Sequence, residues 1–186
     1  MSRKRSRKAW KGKKMNRLVL SNIARFIALV LIQVLIMNRI NFYGFLNPYV
    51  YILFIMLLPF ETPGWLILLL SFVTGITIDL FGGTLGLHAA SSVFAGFMRP
   101  MIIKFVGEKP EYDITTQPKL QQMGLKWFIA YALLMIFAHH LFLNILDVFS
   151  FNEFWQTLLR VIVSTLFTFL FIMLFEYIFT SRKEKK

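Results

Sequence analysis

Long apolar runs, separated by short polar or glycine- and proline-containing breaks, organise this chain. Residues 18–37 form the first run, and about twenty apolar residues is what a helix needs to cross the hydrocarbon core of a bilayer. Four further runs of comparable length follow at residues 65–81, 85–106, 125–146 and 154–180. Between the first and the next of these lies a shorter apolar stretch, residues 49–60, bracketed by Pro48 and Pro59. Its brevity predicts a span that is tilted, extended into residues 42–47, or partly re-entrant. Tight turns are predicted at Glu61-Thr-Pro-Gly64 and at Gly82-Gly83-Thr84. The pattern therefore predicts an all-α integral membrane protein with six transmembrane helices over residues 18–180, between tails at residues 1–17 and 181–186.

Composition agrees with this solvent. Apolar residues make up 57% of 186, with 21 phenylalanines, more apolar surface than a soluble domain of one core would hide. The first run is too long for the h-region of a signal peptide, and no small-x-small cleavage site follows it, so it is expected to be a retained span.

The net charge of +12 is a topology signal. Nine of the first seventeen residues are Lys or Arg, and Arg182, Lys183, Lys185 and Lys186 close the chain. Lys104, Lys109, Lys119 and Lys126 lie in or beside the one sizeable polar loop, residues 107–124, which contains Pro110 and Pro118. The opposite loops carry Arg39 with the acidic Asp147 and Glu153. Clustered Lys and Arg hold their flank on the cytoplasmic side, so both termini are expected to be cytoplasmic. The same charges would attract anionic lipid at about 1 kcal/mol per residue near the surface. No aromatic-interleaved groove accompanies them, and no nucleic acid is expected as a partner.

Cysteine is absent, which excludes disulfides, thiolate nucleophiles and Cys-ligated zinc. No Gly-x-Ser-x-Gly, P-loop or His-Glu-x-x-His occurs, and no base, orienter and oxyanion hole come together. A non-enzyme without a cofactor is expected.

Polar residues inside the runs are costly in lipid and mark function or structural pairs. Ser71, Gly75 and Asp79 recur at helical spacing, as do His88, Ser92, Gly96 and Arg99, and His140, Asn144 and Asp147. With Arg160, these stripes place Asp79, His88, Ser92, His140, Asn144, Asp147 and Arg160 in the outer half of the spans. Two arrangements account for them. One is internal pairing, with Asp79 or Asp147 neutralising Arg160 and the histidines and Asn144 bonding across helices. The other is an outward-facing polar pocket for a ligand or a partner's side chain. Adjacent His139 and His140 point about 100° apart on a helix, which disfavours a shared metal ion with Asp79. In the inner half, Arg25 and Glu176 are expected to pair. Arg99-Pro100 marks a kink, and Ala24-x-x-x-Ala28 permits a close helix contact.

The stretch Gly75-Ile-Thr-Ile-Asp79-Leu-Phe-Gly82-Gly83-Thr84-Leu-Gly86-Leu-His88-Ala89-Ala90, continued by Phe97-Met-Arg99-Pro100, resembles the signature of the bacterial rod shape-determining MreD family. In physical terms, Gly82, Gly83 and Gly86 allow a tight hairpin, and Asp79 is placed to accept from the free amides of the next helix. The resemblance implies residence in the bacterial inner membrane and a non-catalytic scaffold role in cell elongation and peptidoglycan synthesis. It further implies binding to the bitopic protein MreC, and work alongside the actin-like MreB filament and the RodA–penicillin-binding-protein synthase. The implied fold is similar to the substrate-binding subunits of energy-coupling-factor vitamin transporters, whose ligand would sit in the outer polar cluster. A small-ligand binding subunit of an importer is therefore the alternative, with Ala24 and Ala28 against a coupling subunit. Asp79→Asn is expected to harm stability more than His140→Ala, through loss of the hairpin.

Overall fold

In the computed structural model the backbone is described for residues 2–39, 47–84, 86–107, 116–148 and 154–181, and side chains from residue 15 to residue 178. Lys109, Pro110, Glu153, Leu85 and the basic residues of the 182–186 tail lie outside the described residues.

The described residues form helices and no strand. They are α1 (Ser2–Leu35), α2 (Ile52–Met56), α3 (Gly64–Gly82), α4 (Leu87–Val106), α5 (Leu120–Met123), α6 (Leu125–Val148) and α7 (Phe154–Ser181), with a 3₁₀ turn, Met37–Arg39, after α1. Five of these are long and apolar enough to cross a membrane: Met15–Arg39, Gly64–Gly82, Leu87–Val106, Leu125–Val148 and Phe154–Ile178. A multi-pass membrane protein follows from them. Residues 2–17 continue α1 as helix, because Lys and Arg are good helix formers and propagation from an existing helix costs little.

The expected sixth spanning helix is absent from the 49–60 region, where the only helix is the five-residue α2. The reason is length. Pro48 and Pro59 leave room for ten intervening residues, which as α-helix would advance only about 15 Å. The segment is α-helical only at its centre, flanked by hydrogen-bonded turns at Tyr49–Leu53 and Ile55–Leu58. It nonetheless runs between the two ends of the bundle. Tyr49 packs on His88 and His140, beside the α3–α4 turn, with ring centroids 5.1 and 5.3 Å away. Phe60 at the other end packs on Trp127 near the start of α6 and donates to Thr116 O at 3.0 Å. Residues 50–59 are all buried, surrounded by α1, α3, α4 and α6.

Non-helical backbone at membrane depth survives only when protein satisfies its polar groups. Here side chains from four long helices do so. Gln33 of α1 donates to Pro48 O at 3.0 Å, and Tyr49 N donates to Thr168 of α7 at 3.2 Å. Past α2, Tyr131 of α6 donates to Met56 O at 2.9 Å. Arg99 of α4 donates to Leu58 O and, at 3.4 Å, to Pro59 O, while its Nε donates to Tyr131 Oη at 3.2 Å. Arg99 is 1% exposed, and its partners among the described residues are carbonyl and hydroxyl oxygens. The Pro100 that follows it sits inside a continuous α4.

The long helices pack in the spatial order α1, α3, α4, α6, α7, and α3 against α4 is the most extensive contact. That contact is made by small residues. A Cβ on Gly75 would run into the backbone of His88 and Ala89, and one on Gly96 into Ser71.

The expected ion pair of Arg25 with Glu176 is not formed. Arg25 donates to Asn22 Oδ1 at 2.9 Å and, at longer range, to Gln117 Oε1 and Leu57 O. Glu176 accepts from Leu120 N at 3.2 Å, at the start of α5. Each group meets a nearer demand, the Asn22 side chain one turn away and a free helix amide respectively.

Candidate functional site

The α3–α4 hairpin builds one wall of a buried polar cluster at the end of the bundle away from the N-terminus. α3 ends in Gly83 at φ +67° and α4 begins after Gly86 at φ +84°, left-handed conformations that side-chain-bearing residues rarely adopt. Gly82 is the last helical residue of α3. Across this turn Asp79 accepts from His88 N at 3.0 Å and Ala89 N at 2.9 Å, so its carboxylate takes two amides left free at the start of α4. Thr84 Oγ1 and His88 Nδ1 also donate to Asp79 Oδ1, the latter at 3.0 Å. Asp79 is 3% exposed, and four donors replace the water it has lost.

An asparagine at position 79 would present one acceptor oxygen and a misplaced donor. Asp79→Asn is expected to lower stability by about 2 kcal/mol, because buried donors would be left unmet. Reversible unfolding in mixed detergent micelles would check this. A loss under about 0.5 kcal/mol would contradict the cap.

Facing the hairpin, Tyr49 and Tyr51 of the crossing segment stand among His88, His139 and His140. The Tyr51 hydroxyl and His139 Nε2 share a 2.6 Å hydrogen bond, and their ring centroids are 5.4 Å apart. Tyr51 also lies 6.0 Å from His88, edge-on. His140 is tied at both ring nitrogens, to Ile136 O at 2.9 Å and Thr168 Oγ1 at 3.2 Å. Asn144 donates to His140 O at 2.8 Å, a bond along its own helix. Ser92 is fully buried. Among the described residues, His88 Nε2 and His139 Nδ1 have no hydrogen-bond partner, and no group of three His, Asp or Glu side chains is placed to hold a metal ion.

Asp147 and Arg160 stand apart from this interior. Asp147 Oδ2 lies 4.0 Å from Arg160 Nη1, with side chains 48% and 30% exposed. The two carboxylates therefore divide, Asp79 to His88 and the α4 amides, Asp147 to Arg160. An ion pair this long and this exposed contributes little. Asp147→Asn is accordingly expected to change stability by less than about 0.5 kcal/mol in the same assay.

Tyr49, Tyr51, Thr168 and Gln33 complete the cluster without having been marked by sequence. Tyrosines in an apolar stretch read as core, and Gln33 is the one cue, an amide inside an apolar run. Ala24 and Ala28 are both exposed. They border a groove of about 370 Å³ beside α2, with Arg25, Lys119 and Glu176 at its edge.

The arrangement is a set of hydrogen-bonded side chains joining three parts of the chain: the hairpin, the crossing segment, and α6 with α7. It holds the Asp79 carboxylate and a set of hydroxyl, imidazole and amide groups in a protein interior. Comparison with family models, curated proteins and solved structures finds no match to this chain.

Proposed function

We propose that the chain is a non-catalytic scaffold of the cell-elongation and peptidoglycan-synthesis machinery, resembling the MreD family. It resides in the bacterial inner membrane with both termini cytoplasmic. It binds a single-span MreC-like partner, and through it reaches the MreB filament and the RodA–penicillin-binding-protein synthase. The observation that carries this reading is the hairpin. Of the hairpin positions that carry the resemblance, Gly75, Asp79, Gly83 and Gly86 each meet a backbone demand there, while a Cβ on Gly82 would meet only ordinary contact. The basic N-terminal extension of α1 supports the orientation, through the bias of Lys and Arg toward the cytoplasm.

A small-ligand binding subunit of an importer, with the fold of the vitamin-transporter subunits, is the competing reading. His88 Nε2 and His139 Nδ1 favour it, since buried ring nitrogens without partners among the described residues suit a polar ligand. The groove along Ala24 and Ala28 would take a coupling subunit in that reading and the partner's helix in the first.

Affinity purification from native membranes in mild detergent, with mass spectrometry of proteins and small molecules, separates them. The scaffold is expected to bring down a single-span MreC-like protein and cell-wall synthases with no bound metabolite. Recovery of ATPase and coupling subunits, or of a stoichiometric vitamin-like molecule, would overturn it.

A further inference from the structure

At the end of the bundle that carries the N-terminus, α1 and α3 splay apart around an apolar cleft of about 530 Å³. Leu18 and Ile23 of α1, Leu66 and Leu70 of α3, and Phe54 and Leu58 of the crossing segment line it. The cleft has a defined depth. Along α1 it runs from Met15 to Phe26, about 16 Å at 1.5 Å per residue. That is about half of a 30 Å hydrocarbon core, the thickness of one leaflet. Beyond Phe26 it closes. Phe26 meets Phe54 edge-to-face at 5.3 Å, and Val30 packs with Ile78 and Tyr51.

Depth decides the class of occupant. A partner's transmembrane helix would need a groove through both leaflets, and this one ends at mid-membrane. A single acyl chain entering from the surface needs one leaflet. The mouth adds one negative charge. Glu61 borders it, is exposed, and makes no ion pair among the described residues.

We infer that this cleft binds one phospholipid of the phosphatidylethanolamine type. An acyl chain lies between α1 and α3, the headgroup is at the level of Met15, where the cleft begins along α1, and its ammonium is beside Glu61. A purely anionic headgroup would meet Glu61 unfavourably, and a quaternary ammonium cannot donate to it.

The test uses the full chain reconstituted in vesicles of equal parts phosphatidylethanolamine, phosphatidylglycerol and phosphatidylcholine, then released for native mass spectrometry. One phosphatidylethanolamine per chain is expected to be retained about fivefold over either competitor, the ratio worth roughly 1 kcal/mol. Leu70→Trp, which fills the cleft, is expected to abolish the preference with helicity unchanged. Glu61→Lys, on an exposed turn where folding is not at stake, is expected to shift retention to phosphatidylglycerol. Equal retention of the three lipids by the unaltered chain, or an unchanged preference in Glu61→Lys, would overturn the assignment. No partner protein enters the experiment, so its failure leaves the scaffold reading standing.

Discussion

Gly75→Ala is expected to destabilise the protein by about 3 kcal/mol, at the upper end of overpacking effects, because the added methyl meets backbone rather than a movable side chain. The obstacle is His88 O and the amide and Cα of Ala89. Those same atoms are fixed by Asp79, which accepts from both amides. α4 can move away from α3 only by breaking that cap, so the two losses are coupled. Gly64 is the control, since a Cβ there meets nothing within 4 Å. Gly64→Ala is expected to be neutral or to stabilise by up to about 1 kcal/mol through helix propensity. Unfolding of the variants in mixed micelles, followed by circular dichroism, measures both. A Gly75→Ala loss no larger than that of Gly64→Ala would mean that the helices do not approach as described.

Arg99→Leu is expected to have an effect of similar size, about 3 kcal/mol, through unmet hydrogen bonds rather than a clash. The guanidinium serves Leu58 O and the Tyr131 hydroxyl, and at longer range Pro59 O, which Thr62 also holds, so Leu58 O is the carbonyl that depends on it. Leucine fills much of the space, leaves Leu58 O without its donor and frees the Tyr131 hydroxyl, in an interior closed to water. Arg99→Lys is expected to fall between, because an ammonium lacks the planar fork that reaches oxygens on two sides. If Arg99→Leu matches the parent within about 0.5 kcal/mol, the segment does not depend on side-chain capping. Protease accessibility at Pro59–Thr62 gives a second readout, expected to rise in Arg99→Leu alone.

Which residues of the cluster could be read in advance follows from sequence distance. Asp79 and His88 are nine residues apart across a glycine turn, so helix spacing and hairpin geometry bring them together whatever the rest of the chain does. Tyr51 and His139 are 88 residues apart, and nothing local in either marks the other. Arg99 was visible as an intramembrane cation, but its role depends on a segment 41 residues away. Arg25 and Glu176 show the converse. Opposite charges at matching depth suggest a pair, and each instead takes a nearer partner, the Asn22 side chain for Arg25 and the Leu120 amide for Glu176.

Residence in a membrane and the placing of the five long helices follow from the sequence alone. An apolar run of this length with so few ionisable residues calls for a hydrocarbon solvent, and polar residues set the limits of each apolar stretch, although α1 continues as helix through residues 2–17. The path of residues 47–60 was open to several solutions, because ten residues between two prolines are compatible with lipid, a surface loop or the protein interior. Only the assembled bundle selects the interior, since Gln33, Thr168, Tyr131 and Arg99, drawn from four helices, must all be in place before the bare carbonyls and amides of that segment can leave water.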